Sequence, residues 1–148
     1  MDSASFFDSI GVETFKTASA DIVDLPLHEF LASTGKNVII STGMATLGEI
    51  ESVLNIYRRN NIDNVVLLHC VSNYPCKFDS LNLKVIETLQ RSFQVPIGYS
   101  DHAKGVYPAV MSVALGARVI EKHFTLDKDM IGPDHKASST PEEFKVLV

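Results

Sequence analysis

Five short apolar or β-branched runs, separated by stretches of helical period, constrain this chain more than any other feature. The runs are Glu13 to Ala18, Asn37 to Ile40, Asn64 to Leu68, Val95 to Tyr99 and Arg118 to Lys122. Strand-length runs alternating with amphipathic helices predict βα units and a parallel sheet. Residues 1–12 read as the end of a helix and a turn through Gly11.

The intervening stretches carry helix punctuation. Pro26 stands where a first helical turn tolerates a missing N–H, Leu27, Phe30 and Leu31 follow on one face, and Gly35 stops the helix. Thr46 and Glu49 form a capping box, in which the hydroxyl takes an orphan backbone N–H and the carboxylate reaches back. Ile50, Val53, Leu54 and Tyr57 then make an apolar face. A third helix turns Leu83, Ile86 and Phe93 inward. The fourth, Tyr107 to Leu115, is apolar on most sides and is expected to be well buried. Thr140 to Glu143 repeats the capping box and opens the last helix.

Polar residues fall at the ends of the five runs: Ser19 and Asp21, Ser41 and Thr42, His69 and Ser72, Ser100, Asp101 and His102, then His123. In parallel α/β folds the C-terminal strand ends carry the site, because loops and helix N-termini converge there. Strand alternation places Gly98, Ser100 and His102 on one face, and Val119, Glu121 and His123 on one face. Gly98 leaves room for either a ligand or a close backbone approach. His102 and His123 stand 21 residues apart, one βα unit, so two neighbouring strand ends can offer imidazoles to one divalent metal.

Several residues keep two readings. Lys16 lies within a strand, where an unpaired lysine is costly. Its head is free to snorkel, to meet a phosphate beside Ser19, or to meet a carboxylate such as Glu121. The Ser41-Thr42-Gly43 turn offers hydroxyls and N–H groups to an anion, but serines in such loops more often satisfy the backbone. His69 and His135 are open between structure and function, and His28 reads as a surface residue of its helix.

Composition excludes some classes. The chain has 148 residues, 45% of them apolar and 21% charged, enough for one packed domain. A net charge of −5 with no basic run argues against nucleic acid. No stretch reaches the roughly 18 apolar residues of a membrane span. The two cysteines, Cys70 and Cys76, are too few for a disulfide framework, and a cytoplasmic, reduced protein is the simplest expectation.

The same segments resemble the sialic acid synthase family, which includes N-acetylneuraminate, legionaminate and related nonulosonate synthases. Six motifs carry the resemblance in order: Lys16 to Asp21, Ser41 to Ile50, His69 to Pro75, Gly98 to His102, Glu121 to Asp127 and Gly132 to Ser138. The resemblance implies an α/β fold, a partial TIM (βα)8 barrel of about five units corresponding to strands four to eight. It also implies condensation of phosphoenolpyruvate with an N-acetylmannosamine-type sugar, giving a nonulosonic acid and phosphate, with a divalent metal such as Mn2+ or Mg2+. By motif, His102 and His123 match the metal ligands. Lys16, Ser19, Ser41 and Ser100, with Thr42 beside them, match positions that hold phosphoenolpyruvate. Asp21, Ser72 and Asp134 match positions near the sugar and its water.

The resemblance further implies that three βα units and a C-terminal antifreeze-like domain lie outside these 148 residues. A complete barrel takes about 250 residues, and five strands leave two open edges. The expectation is therefore a fragment, a truncated product or half of an assembly, weak or inactive alone and in need of a homo-oligomeric partner or the missing half. Two other classes stand beside it: a non-catalytic metal- and anion-binding relative, and a flavodoxin-like doubly wound domain. Strand order separates the barrel from the doubly wound sheet.

Overall fold

A computed structural model describes residues 2–148. Its five strands are β1 (Thr14–Thr17), β2 (Asn37–Ser41), β3 (Val65–Cys70), β4 (Ile97–Asp101) and β5 (Ile120–Lys122). They form one sheet in chain order, β1-β2-β3-β4-β5, with no switch point. That order is the one a (βα)n barrel segment requires, and it rules out the doubly wound alternative. The chain divides into two compact units, one ending at Leu67 and the next beginning at Leu68. No helix among the described residues is long and apolar enough to cross a membrane.

In the first unit α1 (Asp2–Ser9) ends in a turn where Gly11 takes φ +82°, the left-handed region glycine favours. β1 and β2 then pair in parallel, Thr14 with Asn37 through Thr17 with Ile40. α2 (Leu25–Ser33) starts at Asp24, whose carboxylate accepts from Leu27 N–H at 3.1 Å. α3 (Leu47–Arg59) opens with the expected capping box at Thr46 and Glu49. Phe15, Val38, Ile40, Leu31, Ile50, Val53, Leu54 and Tyr57 are buried as the periodicity predicts.

One residue of this unit departs from the sequence reading, and for another the burial cost falls away. His28 is fully buried, not on the surface. α2 packs on α3, and His28 Nδ1 meets the Tyr57 hydroxyl at 2.8 Å, so one nitrogen of a ring that periodicity assigns to solvent is bonded inside, while Nε2 is buried without a hydrogen-bond partner among the described residues. Lys16 is exposed. Only the Phe15 and Thr17 face of β1 is covered, so the desolvation cost expected of this lysine does not arise.

The second unit holds α4 (Val85–Ser92), α5 (Tyr107–Ala114) and α6 (Pro141–Leu147), the last opened by Thr140 and its capping box. β4 begins two residues later than expected because Pro96 has no N–H for the ladder. β5 is assigned from Ile120, although Arg118 N–H already bonds Ile97 O at 2.8 Å and Tyr99 N–H bonds Val119 O at 2.8 Å. The expectation that Tyr107 to Leu115 is well buried fails. Pro108, Ala109 and Ser112 face inward, while Tyr107, Val110, Met111 and Val113 are exposed. Apolar composition does not tell a helix which of its faces is covered.

Candidate functional site

β4 and β5 pair Tyr99 with Ile120, Ser100 with Glu121 and Asp101 with Lys122. The side-chain contacts follow the expected alternation. Ser100 Oγ lies 3.0 Å from Glu121 Oε1 and 3.2 Å from His102 Nε2, so these residues share a face. Strand β4 runs on through Asp101, so Ser100 and Asp101 close the strand and do not follow it. The same holds for Ser41 in β2 and His69 in β3. Gly98 serves a close approach, not ligand room: a Cβ there would lie 2.4 Å from Val119 O and 2.5 Å from Leu68 Cδ2.

The two histidines converge. Their ring centroids are 5.4 Å apart at 75°. His102 is buried, and its Nδ1 lies 2.7 Å from Val71 O. A carbonyl only accepts, so Nδ1 carries the proton and Nε2 keeps its lone pair. The single Ser100 proton, when given to Glu121, leaves that lone pair unengaged. Burial pushes His102 below the ordinary imidazole range, the Val71 carbonyl opposes this, and His123 pushes the same way as burial. The neutral ring that a metal needs is the favoured form.

His123 is half-buried, with Nδ1 3.8 Å from the carboxylate of Asp134. The Asp134 backbone carbonyl accepts from Ser138 N–H and Oγ, which fixes this exposed loop residue near the ring. Tyr74, given no role from sequence, stacks on His102 with centroids 4.1 Å apart and stands 5.4 Å from His123. The signal available was an aromatic two residues past Ser72 in a strand-end loop. Ser72 itself is exposed in that loop.

These donors fit a divalent metal in a limited sense. No group of three or more His, Cys, Asp or Glu side chains among the described residues is disposed around one point. Two imidazoles, one with its tautomer fixed, would offer a metal two nitrogen donors.

The other histidines of this unit have partners within it. His69 Nε2 donates to Leu81 O at 2.8 Å, and the ring stacks on Tyr99. His135 Nδ1 meets the Thr125 hydroxyl at 2.7 Å. Cys70 and Cys76 are buried free thiols.

In the first unit Ser19 meets the turn formed by Ser41, Thr42 and Gly43. Ser41 and Thr42 are buried, and Gly43 N–H donates to Ser19 Oγ at 3.1 Å. That N–H is therefore spent on a side chain, not offered to a ligand as the turn suggested. Ser41 Oγ is buried with no hydrogen-bond partner among the described residues, an arrangement that calls for one. Asp21 Oδ2 accepts from Ala18 N–H at 2.7 Å, so this carboxylate caps the 3-10 turn Ser19–Val23.

Comparison with known proteins bears on family and fold. A sequence model of the NeuB family matches residues 1–148. The N,N'-diacetyllegionaminic acid synthase of Campylobacter jejuni is 47% identical over 149 residues, covering 99% of this chain and 45% of that protein. Human N-acetylneuraminate-9-phosphate synthase is 40% identical over 144 residues, covering 97% of this chain and 40% of that protein. The crystal structure of the N-acetylneuraminic acid synthetase of Leptospira borgpetersenii superposes with a TM-score of 0.93 at 42% identity, over 97% of this chain and 50% of that one. The chain thus spans less than half the length of these curated relatives.

Proposed function

The chain belongs to the NeuB family, and we propose that it carries the metal-binding part and a share of the anion-binding part of a phosphoenolpyruvate-dependent nonulosonate synthase. The observation that carries this reading is the pair His102 and His123, 5.4 Å apart, with Nδ1 of His102 tied to Val71. When bound, a divalent cation such as Mn2+ or Mg2+ would act as a Lewis acid on the aldehyde oxygen of an N-acetylmannosamine-type sugar.

In the proposed reaction, C3 of phosphoenolpyruvate attacks the sugar aldehyde, water adds at C2, and the C–O bond to phosphate breaks. His102 and His123 would hold the cation. Lys16, Ser19, Ser41, Thr42 and Ser100 would bind the phosphate and carboxylate, and the partnerless buried oxygen of Ser41 supports this. Asp21, Ser72 and Asp134 would contact sugar or water. Asp134 has the best support, since its carboxylate reaches within 3.8 Å of His123. Because the chain spans under half of its relatives' length, turnover is expected to need residues from the remainder of a full synthase.

Electron paramagnetic resonance of Mn2+ titrated into the full chain tests the reading. Binding should be saturable and should disappear in His102→Ala and in His123→Ala. Unchanged binding in both variants refutes the site. Phosphate release from phosphoenolpyruvate and N-acetylmannosamine by this chain alone, with Mn2+, would refute the need for further residues.

A further inference from the structure

Asp101 and Lys122 form the most deeply buried ion pair among the described residues, and nothing in the proposed chemistry uses it. Asp101 Oδ2 lies 2.7 Å from Lys122 Nζ, with side chains 0% and 1% exposed. Lys122 Nζ also donates to Ala103 O at 2.5 Å. Asp101 Oδ1 accepts from Ala103 N–H at 2.9 Å and from the Tyr99 hydroxyl at 3.3 Å. Each member directly precedes one of the two histidines, and the two are paired across β4 and β5.

A buried pair of this kind is a poor device for stability alone. Its attraction is largely offset by desolvation, and an apolar pair of similar volume often serves as well. A pair is well suited to fixing register. β5 is short, its three ladder residues being extended by the bonds from Arg118 N–H to Ile97 O and from Tyr99 N–H to Val119 O, so a modest number of backbone bonds holds it against β4. Slipping such a strand by one residue exchanges its two faces. That slip would part Asp101 from Lys122 and carry His123 away from His102.

We propose that Asp101 and Lys122 are positioning residues, a buried latch that sets the β4–β5 register and so brings His102 and His123 to one point. The inference rests on the reading of those histidines as ligands only for its consequence in metal binding; the convergence of the rings is a geometric claim in itself.

The test compares the full chain with the double variant Asp101→Asn/Lys122→Met, which removes both charges at similar volume. Two readouts are taken in folded protein, checked by circular dichroism: the through-space NMR contact between the His102 and His123 ring protons, and Mn2+ affinity. The latch predicts that the ring contact is lost and that affinity falls by about tenfold or more, the range for residues that orient metal ligands. A folded variant that keeps the contact overturns the proposal, as does an unaltered chain without the contact. If the unaltered chain shows the contact, the variant loses it, and neither binds Mn2+, the latch stands and the metal reading falls. Should the double variant not fold, Asp101→Asn alone is read in the same way. If that also fails to fold, the pair is holding the fold and the positioning role is refuted.

Discussion

Gly98→Ala should be among the most costly single-methyl additions in this chain. The new Cβ would stand 2.4 Å from Val119 O and 2.5 Å from Leu68 Cδ2, where ordinary contact begins near 3.4 Å. Leu68 can turn aside by changing rotamer. Val119 O cannot, because it is backbone and already accepts from Tyr99 N–H at 2.8 Å. About 1 Å of separation must therefore come from moving β5 off β4, since overpacked interiors relax only by such shifts. Overpacking costs about 1–3 kcal/mol, and weakening one ladder bond adds about 1 kcal/mol. A loss of about 2–4 kcal/mol lowers Tm by roughly 5–15 °C in a domain of this size. The chain has no tryptophan, so urea unfolding followed by far-UV circular dichroism is the suitable assay. Gly48→Ala is the control: it lies in the first turn of α3 with nothing within 4 Å, and should leave stability unchanged or slightly higher. A Gly98→Ala loss under about 0.5 kcal/mol, the scatter of surface changes, refutes the close-approach account.

Three further outcomes follow from the packing of His28, α5 and Tyr74. Burial holds His28 below the ordinary histidine range, against the opposing pull of Asp21 and Asp24. The unfolded chain therefore binds a proton that the folded one resists. The stability this contributes is present in full above about pH 6.5 and is lost as pH falls below it. His28→Gln should flatten the stability profile between pH 7 and 5, and a profile parallel to the unaltered chain's counts against the assignment. On α5, Val110→Lys should change stability by less than about 0.5 kcal/mol, while Ala109→Lys, at a buried position, should cost several kcal/mol, an unpaired buried charge being the reason. Equal urea midpoints for the two variants would mean that the covered face of α5 has been misassigned. Tyr74→Ala should leave the fold intact and move the His102 ring-proton resonances downfield as the stacked ring is removed. No movement would mean that the stack is not populated.

Most of the fold is legible in the sequence because it depends on local signals. Thr46 with Glu49 and Thr140 with Glu143 announce helix starts by satisfying orphan N–H groups, and both boxes form. Alternation along 98–102 and 119–123 puts Ser100, His102, Glu121 and His123 on one face, as the Ser100 contacts to Glu121 and His102 and the nearness of the His102 and His123 rings show. The misreadings concern cover, which is not local. His28 and the exposed face of Val110, Met111 and Val113 exchanged their expected places, because periodicity locates a face without saying what lies over it. His28 is hidden by Tyr57, 29 residues on, and no feature of α2 itself announces that partner.

The site divides along the same line. Its two histidines stand out because an imidazole at a strand end is chemically conspicuous. The residues that arrange them do not. Lys122 reads as an ordinary charged residue on a short strand, and only the parallel register reveals that it lies against Asp101. Tyr74 reads as a loop aromatic until the His102 ring is found 4.1 Å away. Residues that carry chemistry are selected for their functional groups, which a sequence states outright. Residues that position them act through pairings between strands and loops, and those exist only once the register is set. A pair such as Asp101 and Lys122, each one step before a histidine and on the opposite face, is what that logic looks for: alternation lets one register fix an ion pair on one side of the sheet and a converging pair of histidines on the other.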